Sequence, residues 1–173
     1  MLIISGTNRS NSKSIQLAEL YKEIFQTTGI NAEILNLEDI PADFIRSALY
    51  DNLGKSNEFN KLQMLVDKHD KVVIIVPEYN GSFPGILKTF IDGLKHPNSF
   101  RGKKGALVGI SAGAQGGGLA LSHLTDILNY MGMHILAIKP KLSSIDSNMK
   151  GNTLTNPIYL NKVREHVEEF IKF

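Results

Sequence analysis

Three runs of apolar residues constrain this chain most: LIIS at 2–5, KVVIIVP at 71–77 and GALVGIS at 105–111. A strand wetted on one face alternates apolar and polar side chains. A strand that is apolar at nearly every position must be covered on both faces, as happens when helices pack on either side of a parallel sheet. Two weaker stretches complete the set. INAEILNL at 30–37 alternates in part, and HILAIKP at 134–140 is apolar and ends in proline.

Between these runs the apolar period changes to that of a helix, about 3.6 residues. Leu17, Leu20, Tyr21, Ile24 and Phe25 form one stripe over residues 13–28; Leu62, Leu65 and Val66 mark a second helix. Ile86, Leu87, Phe90, Ile91 and Leu94 mark a third, and Leu124, Ile127, Leu128 and Met131 a fourth. The last stripe is Leu160, Val163, Val167, Phe170 and Ile171, opened by Asn156 as a cap with Pro157 at the first helical position. Strands alternating with helices in this way predict a doubly wound α/β sandwich with a five-stranded parallel sheet. The two long connections, 38–56 and 139–156, have the length of lids, contact surfaces or linkers, and composition does not choose among these.

With 173 residues, 42% of them hydrophobic, the chain reads as one domain spanning 1–173. A net charge of +2 without a long basic run argues against nucleic acid as a partner, while a pI near 8.7 suits small anionic ligands. Cysteine is absent, which excludes disulfides, thiolate zinc sites and dithiol redox chemistry, so any redox step needs a cofactor. The start lacks a basic leader and no apolar run is long enough to span a bilayer, so the expectation is a soluble cytoplasmic protein with no membrane partner.

In a doubly wound sheet, ligands bind beyond the carboxyl ends of the strands, where the strand order reverses. The loops after the first, third and fourth strands are therefore the informative ones. GTNRSNSKS at 6–14 fails the triphosphate-loop spacing but offers Thr7, Ser12, Ser14 and helix-start amides to an anion, with Arg9 as the full charge. The plainer alternative is that Gly6 makes the turn and Ser12 or Ser14 caps the helix. PEYNGSFPGILKTFID at 77–92 stiffens its turn with two prolines and places Pro77, Glu78, Tyr79 and Asn80 where they can grip a flat heterocycle; the alternative is a strand-to-helix turn with Tyr79 as packing. SAGAQGGG at 111–118 carries four glycines, and its amides would stabilise negative charge on a reduced ring, unless it is only a flexible loop. His69, His96, His123, His134 and His166 lack metal-ligand spacing, so no metal site is expected. Lys103, Lys104, Lys139 and Lys141 could attract a nucleotide phosphate but are ordinary surface residues, and Lys88 with Asp92 reads as a surface pair.

The three loops, in this order and at strand ends, resemble those of the NADPH-dependent FMN reductases, a flavodoxin-like family that includes quinone, azo-dye and chromate reductases. The specific part is PEYN followed by PG, LK and ID; the resemblance covers most of residues 1–118 and is generic beyond. It implies a sheet of strand order 2-1-3-4-5 and noncovalent FMN. Thr7, Arg9, Ser12 and Ser14 would hold the FMN phosphate, Pro77, Glu78, Tyr79 and Asn80 would line the isoalloxazine, and Ser111, Gly113, Gly116 and Gly117 would close the remaining edge. It also implies NADPH or NADH as cosubstrate, a small-molecule electron acceptor and a homodimer or homotetramer. Two departures stand out: Ser14 where many relatives have asparagine, and Gly93 where relatives often carry tryptophan, a residue this chain lacks altogether.

The expected chemistry is a ping-pong cycle in which flavin N5 takes a hydride and two electrons pass to a second substrate, with no catalytic side chain. A flavodoxin-type carrier docking on protein partners is the first rival, although such carriers tend to be acidic. A nucleotide-binding regulatory or phosphoacceptor domain is the second, although the first strand ends without the acidic cluster it needs.

Overall fold

The computed structural model describes residues 1–96 and 99–173. Its core is a parallel sheet of β1 (Leu2–Ser5), β2 (Glu33–Asn36), β3 (Lys71–Pro77), β4 (Lys104–Ile110) and the short β5 (His134–Ile135), in the order β2-β1-β3-β4-β5. The flavodoxin-like order expected from the sequence is therefore present. Side chains alternate across the sheet, and both sides are apolar. Leu2, Ile4, Val72 and Ile74 pack under α3 (Asn57–Lys68), α4 (Gly85–Gly93) and α5 (Gly118–Tyr130). Ile3, Val73 and Ile75 pack under α1 (Lys13–Thr27) and α7 (Pro157–Lys172). Removing one such side chain, for example Ile74→Ala, costs about 2–5 kcal/mol.

The fifth strand departs from the continuous 134–140 stretch read from the sequence. β5 stops after two residues, and β6 (Lys141–Leu142) resumes the pairing with β4. Gly105 pairs with Ile135 and Gly109 with Lys141, so six residue steps on the outer strand face four on β4. The excess bulges outward, as extra residues in a paired strand must. Pro140 has no amide for the ladder, but its carbonyl accepts from Gly109 N at 2.9 Å.

The long connections are ordered. Residues 38–56 include α2 (Phe44–Ser47), whose Phe44 ring stacks on Phe59 at 4.8 Å. A Cβ on Gly93 would lie 2.8 Å from both rings. The small residue at 93 and the aromatic pair thus fill one volume between them, which accounts for the missing tryptophan. Residues 139–156 contain β6, α6 (Ile145–Asn148) and a hairpin of β7 (Met149–Lys150) and β8 (Thr153–Leu154).

At the α1–α7 seam, His166 is fully buried and its Nδ1 shares a 2.7 Å hydrogen bond with the Tyr21 hydroxyl. Burial lowers the imidazole pKa from 6.5 to about 4, partly opposed by the Ile138 carbonyl. The unfolded chain therefore takes up a proton between these values that the fold excludes. Stability is whole above pH 6.5 and falls as pH drops towards 4, by on the order of 3 kcal/mol. Urea midpoints measured above and below pH 6.5 should show this fall in the wild type and a shallower one in Tyr21→Phe/His166→Phe, which removes the titrating group together with its partner.

Candidate functional site

The first, third and fourth strands end around a cleft of about 280 Å³. Its floor is the start of α1. Ser12 is the N-cap, its Oγ accepting from Ile15 N at 3.3 Å, and Asn11 at φ 53° turns the chain into the helix. The amides of the first turn then have no intrahelical acceptor, and with the helix dipole they favour an anion. Ser14 is fully buried, lines the cleft, and its Oγ has no hydrogen-bond partner. A buried hydroxyl without a partner costs about 1–3 kcal/mol, which a ligand acceptor would recover. Arg9 also lines the cleft, is exposed, and forms no ion pair among the described residues. Gly6 has a different duty: its amide donates to Ile75 O at 3.0 Å, and a Cβ there would come within 2.4 Å of that carbonyl. It is fixed by the approach of β1 to β3.

The second wall is a small hairpin that the sequence reading treated as one stiffened loop. Tyr79 and Ser82 exchange backbone hydrogen bonds of 2.7 and 3.0 Å around Asn80 and Gly81, which have φ of 52° and 75°. Positive φ at both central residues defines the type I′ turn that Asn-Gly favours, and that dipeptide was the available signal. Two contacts fasten the hairpin. The Tyr79 hydroxyl shares a 2.9 Å hydrogen bond with Thr7 Oγ1, and Ser82 Oγ shares one of 3.0 Å with His123 Nδ1 on α5.

The glycine loop is tighter than a run of free amides. Ser111 Oγ accepts from Gly116 N and donates to Gly113 O, both at 2.8 Å, and Gly118 N donates to Gln115 O. Gly116 and Gly117 are buried; a Cβ on Gly116 would meet Lys141 at 2.8 Å, and one on Gly117 would meet Gly109 at 3.1 Å. These glycines let the loop fold back on β4 and β6.

Of the residues singled out from the sequence, the structure brings Thr7, Arg9, Ser12, Ser14, Pro77, Glu78, Tyr79 and Ser111 together around the cleft. Asn80 stands at the hairpin tip, Gly113 beside the lining, and Gly116 and Gly117 inside the loop's own packing. Lys103 and Lys104 lie at the opposite edge of the sheet, where Lys103 donates to the carbonyls of Val66 and His69 and Lys104 to that of Phe173. Sequence reasoning missed Ile145 and Asp146, which reach the lining from α6. The backbone holds them there: Ser144 N donates to Gly113 O and Ile145 N to Ser111 O. No local motif marked them. Lys88 and Asp92 form the expected surface pair at 2.7 Å. Among the described residues no group of three or more His, Asp or Glu is placed to hold a metal, and no helix is long and apolar enough to cross a membrane.

Residues 1–141 match the family described as NADPH-dependent FMN reductase, and the chain belongs to that family. It is similar to a 2-hydroxy-1,4-benzoquinone reductase from Burkholderia sp, 38% identical over 160 residues that cover 84% of this chain and 81% of the relative. It is also similar to an FMN-dependent NADPH-azoreductase of Staphylococcus aureus, 29% identical over 186 residues covering 99% and 93%. Among solved structures it superposes on FerB, a flavoenzyme NAD(P)H:(acceptor) oxidoreductase from Paracoccus denitrificans, with TM-score 0.80, 22% identity and coverage of 99% and 94%. An oxidised flavodoxin from Bacillus cereus shares the fold at TM-score 0.64 and 15% identity. The protein is thus an oxidoreductase that uses FMN with a nicotinamide cosubstrate. The cleft fits that cofactor, since a helix start, an orphaned buried hydroxyl and an unpaired guanidinium are what a phosphate monoester requires.

Ser14→Ala should leave the fold's stability within about 1 kcal/mol while raising the Kd for FMN by about 2- to 10-fold, measured by quenching of flavin fluorescence.

Proposed function

We propose that residues 1–173 form a single domain that holds FMN noncovalently in this cleft and turns over NADPH or NADH with a quinone as preferred acceptor. Azo compounds, metal oxyanions and free flavin would be slower acceptors. The observation that carries the reading is the unpartnered Ser14 hydroxyl at the start of α1, beside the free Arg9. When bound, FMN supplies hydride acceptance and two-electron donation in a ping-pong cycle.

The chain's own part is placement. The first-turn amides of α1, with Thr7, Arg9, Ser12 and Ser14, take the phosphate. Pro77, Glu78, Tyr79 and Asn80 wall the ring, and the Thr7–Tyr79 hydrogen bond ties the two grips together. Ser111 and Gly113 close the far edge, with Gly116 and Gly117 shaping that loop from within. This scheme needs no nucleophile and no dedicated acid or base. Quinone preference is supported by the Burkholderia relative's name. The net charge of +2 speaks for an enzyme over a flavodoxin-type carrier docking on protein.

We also read the protein as cytoplasmic and as a homodimer or homotetramer. A groove between α4 and α5 presents Lys88 and Arg101 near Asp92 and Asp126, with Tyr130 90% exposed at its rim. A second copy can meet mixed charges of this kind with its own. Sedimentation velocity should give more than one chain per particle for the wild type and a smaller species for Tyr130→Glu; a monomeric wild type would end this part.

Purified protein should show oxidised-flavin bands, near about 370 and 450 nm. Steady-state NADPH oxidation with a benzoquinone should give parallel double-reciprocal lines. Arg9→Ala should raise the Kd for FMN by about 10- to 100-fold, the loss of one charge-assisted hydrogen bond. Negligible turnover by FMN-loaded protein would favour the carrier, and failure to bind FMN would end the reading.

A further inference from the structure

The cleft holds a second orphan, of opposite character to Ser14. Glu78 lines it directly after β3, half-buried, and its Oε2 is enclosed without a hydrogen-bond partner. An ionised carboxylate only accepts, so this oxygen waits for a donor. Its neighbours are already committed: Thr7 and Tyr79 share their hydroxyls, and Ser111 Oγ donates to Gly113 O. The backbone beneath Glu78 is fixed, its amide donating to Ile110 O at 3.0 Å. Among the described residues Glu78 forms no ion pair. The oxygen therefore sits at a rigid strand end, facing the space that Pro77 and Tyr79 also border.

We propose that the Glu78 carboxylate is the acceptor for the ring N–H of the bound isoalloxazine and that its charge holds down the reduction potential of the cofactor. The inference rests on the FMN reading of the cleft and deepens it. An oxidised isoalloxazine carries one N–H, and an enclosed carboxylate is the strongest side-chain acceptor for it. A negative charge fixed beside the ring disfavours the added negative charge of the reduced state, as the glycine-loop amides favour it. The two walls of the cleft thus act on the potential with opposite sign. In the free protein the unpaired oxygen costs stability, which ligand binding restores.

The test uses full-length wild type, Glu78→Gln and Glu78→Ala, titrated with FMN and with 3-methyl-FMN, whose ring N–H is blocked. Glu78→Ala should raise the Kd for FMN by about tenfold or more and leave the Kd for 3-methyl-FMN unchanged. Glu78→Gln keeps the shape and an acceptor but loses the charge. It should melt no lower than wild type without ligand, and its two-electron midpoint potential should rise by about 30 mV, equivalent to a tenfold shift between oxidised and reduced affinities. A full Glu78→Ala penalty with 3-methyl-FMN would move the contact to a ribityl hydroxyl and overturn the assignment. Unchanged Kd and potential in both variants would overturn it too, and a lower melting point for ligand-free Glu78→Gln would give the carboxylate a structural role instead. If wild type itself failed to bind FMN, the parent reading would fall first, so the two failures are distinguishable.

Discussion

The whole site depends on how closely β1 approaches β3. Their register runs from Leu2 opposite Val72 to Ser5 opposite Ile75, and the pair closes with Gly6 N donating to the Ile75 carbonyl. Beyond that point the chain parts. β1 leads to α1 on one face of the sheet, and β3 leads to α4 on the other. Two connections leaving adjacent strands in opposite directions open a crevice between them, and the strand order reverses there. No side chain larger than hydrogen fits at position 6, so the crevice is secured by backbone alone.

Much of this was legible in the amino-acid pattern. β1 and β3 begin and end as their apolar runs do, because a strand covered on both faces has no polar interruption to blur its limits. Asn156 and Pro157 open α7 as their chemistry requires. The phosphate-binding half of the cleft was legible for the same reason: a helix start is local, and Ser12, Ser14 and Arg9 lie within a few residues of one another.

What escaped was long-range. Ile145 and Asp146 reach the cleft only because Ser144 and Ile145 donate to the glycine loop, a contact between segments some thirty residues apart. The roles of Gly116 and Gly117 escaped for a related reason. From sequence a glycine-rich loop offers its amides to a ligand, but here Ser111 and the backbone of β4 and β6 claim the space first. The aromatic pair under Gly93 belongs with these, because Phe44 and Phe59 lie in separate elements and only their stacking explains the small residue opposite.

The outward loop between β5 and β6 has a wider meaning. Because pairing resumes with Lys141 against Gly109, added length in this stretch is absorbed outside the ladder and leaves the sheet unstrained. The polypeptide after it is nonetheless what delivers Ile145 and Asp146 to the ligand. The molecule thus has a place where insertion or deletion can re-aim one rim of its binding site while the central scaffold stays as it is, a separation that lets descendants of one architecture drift towards different acceptors.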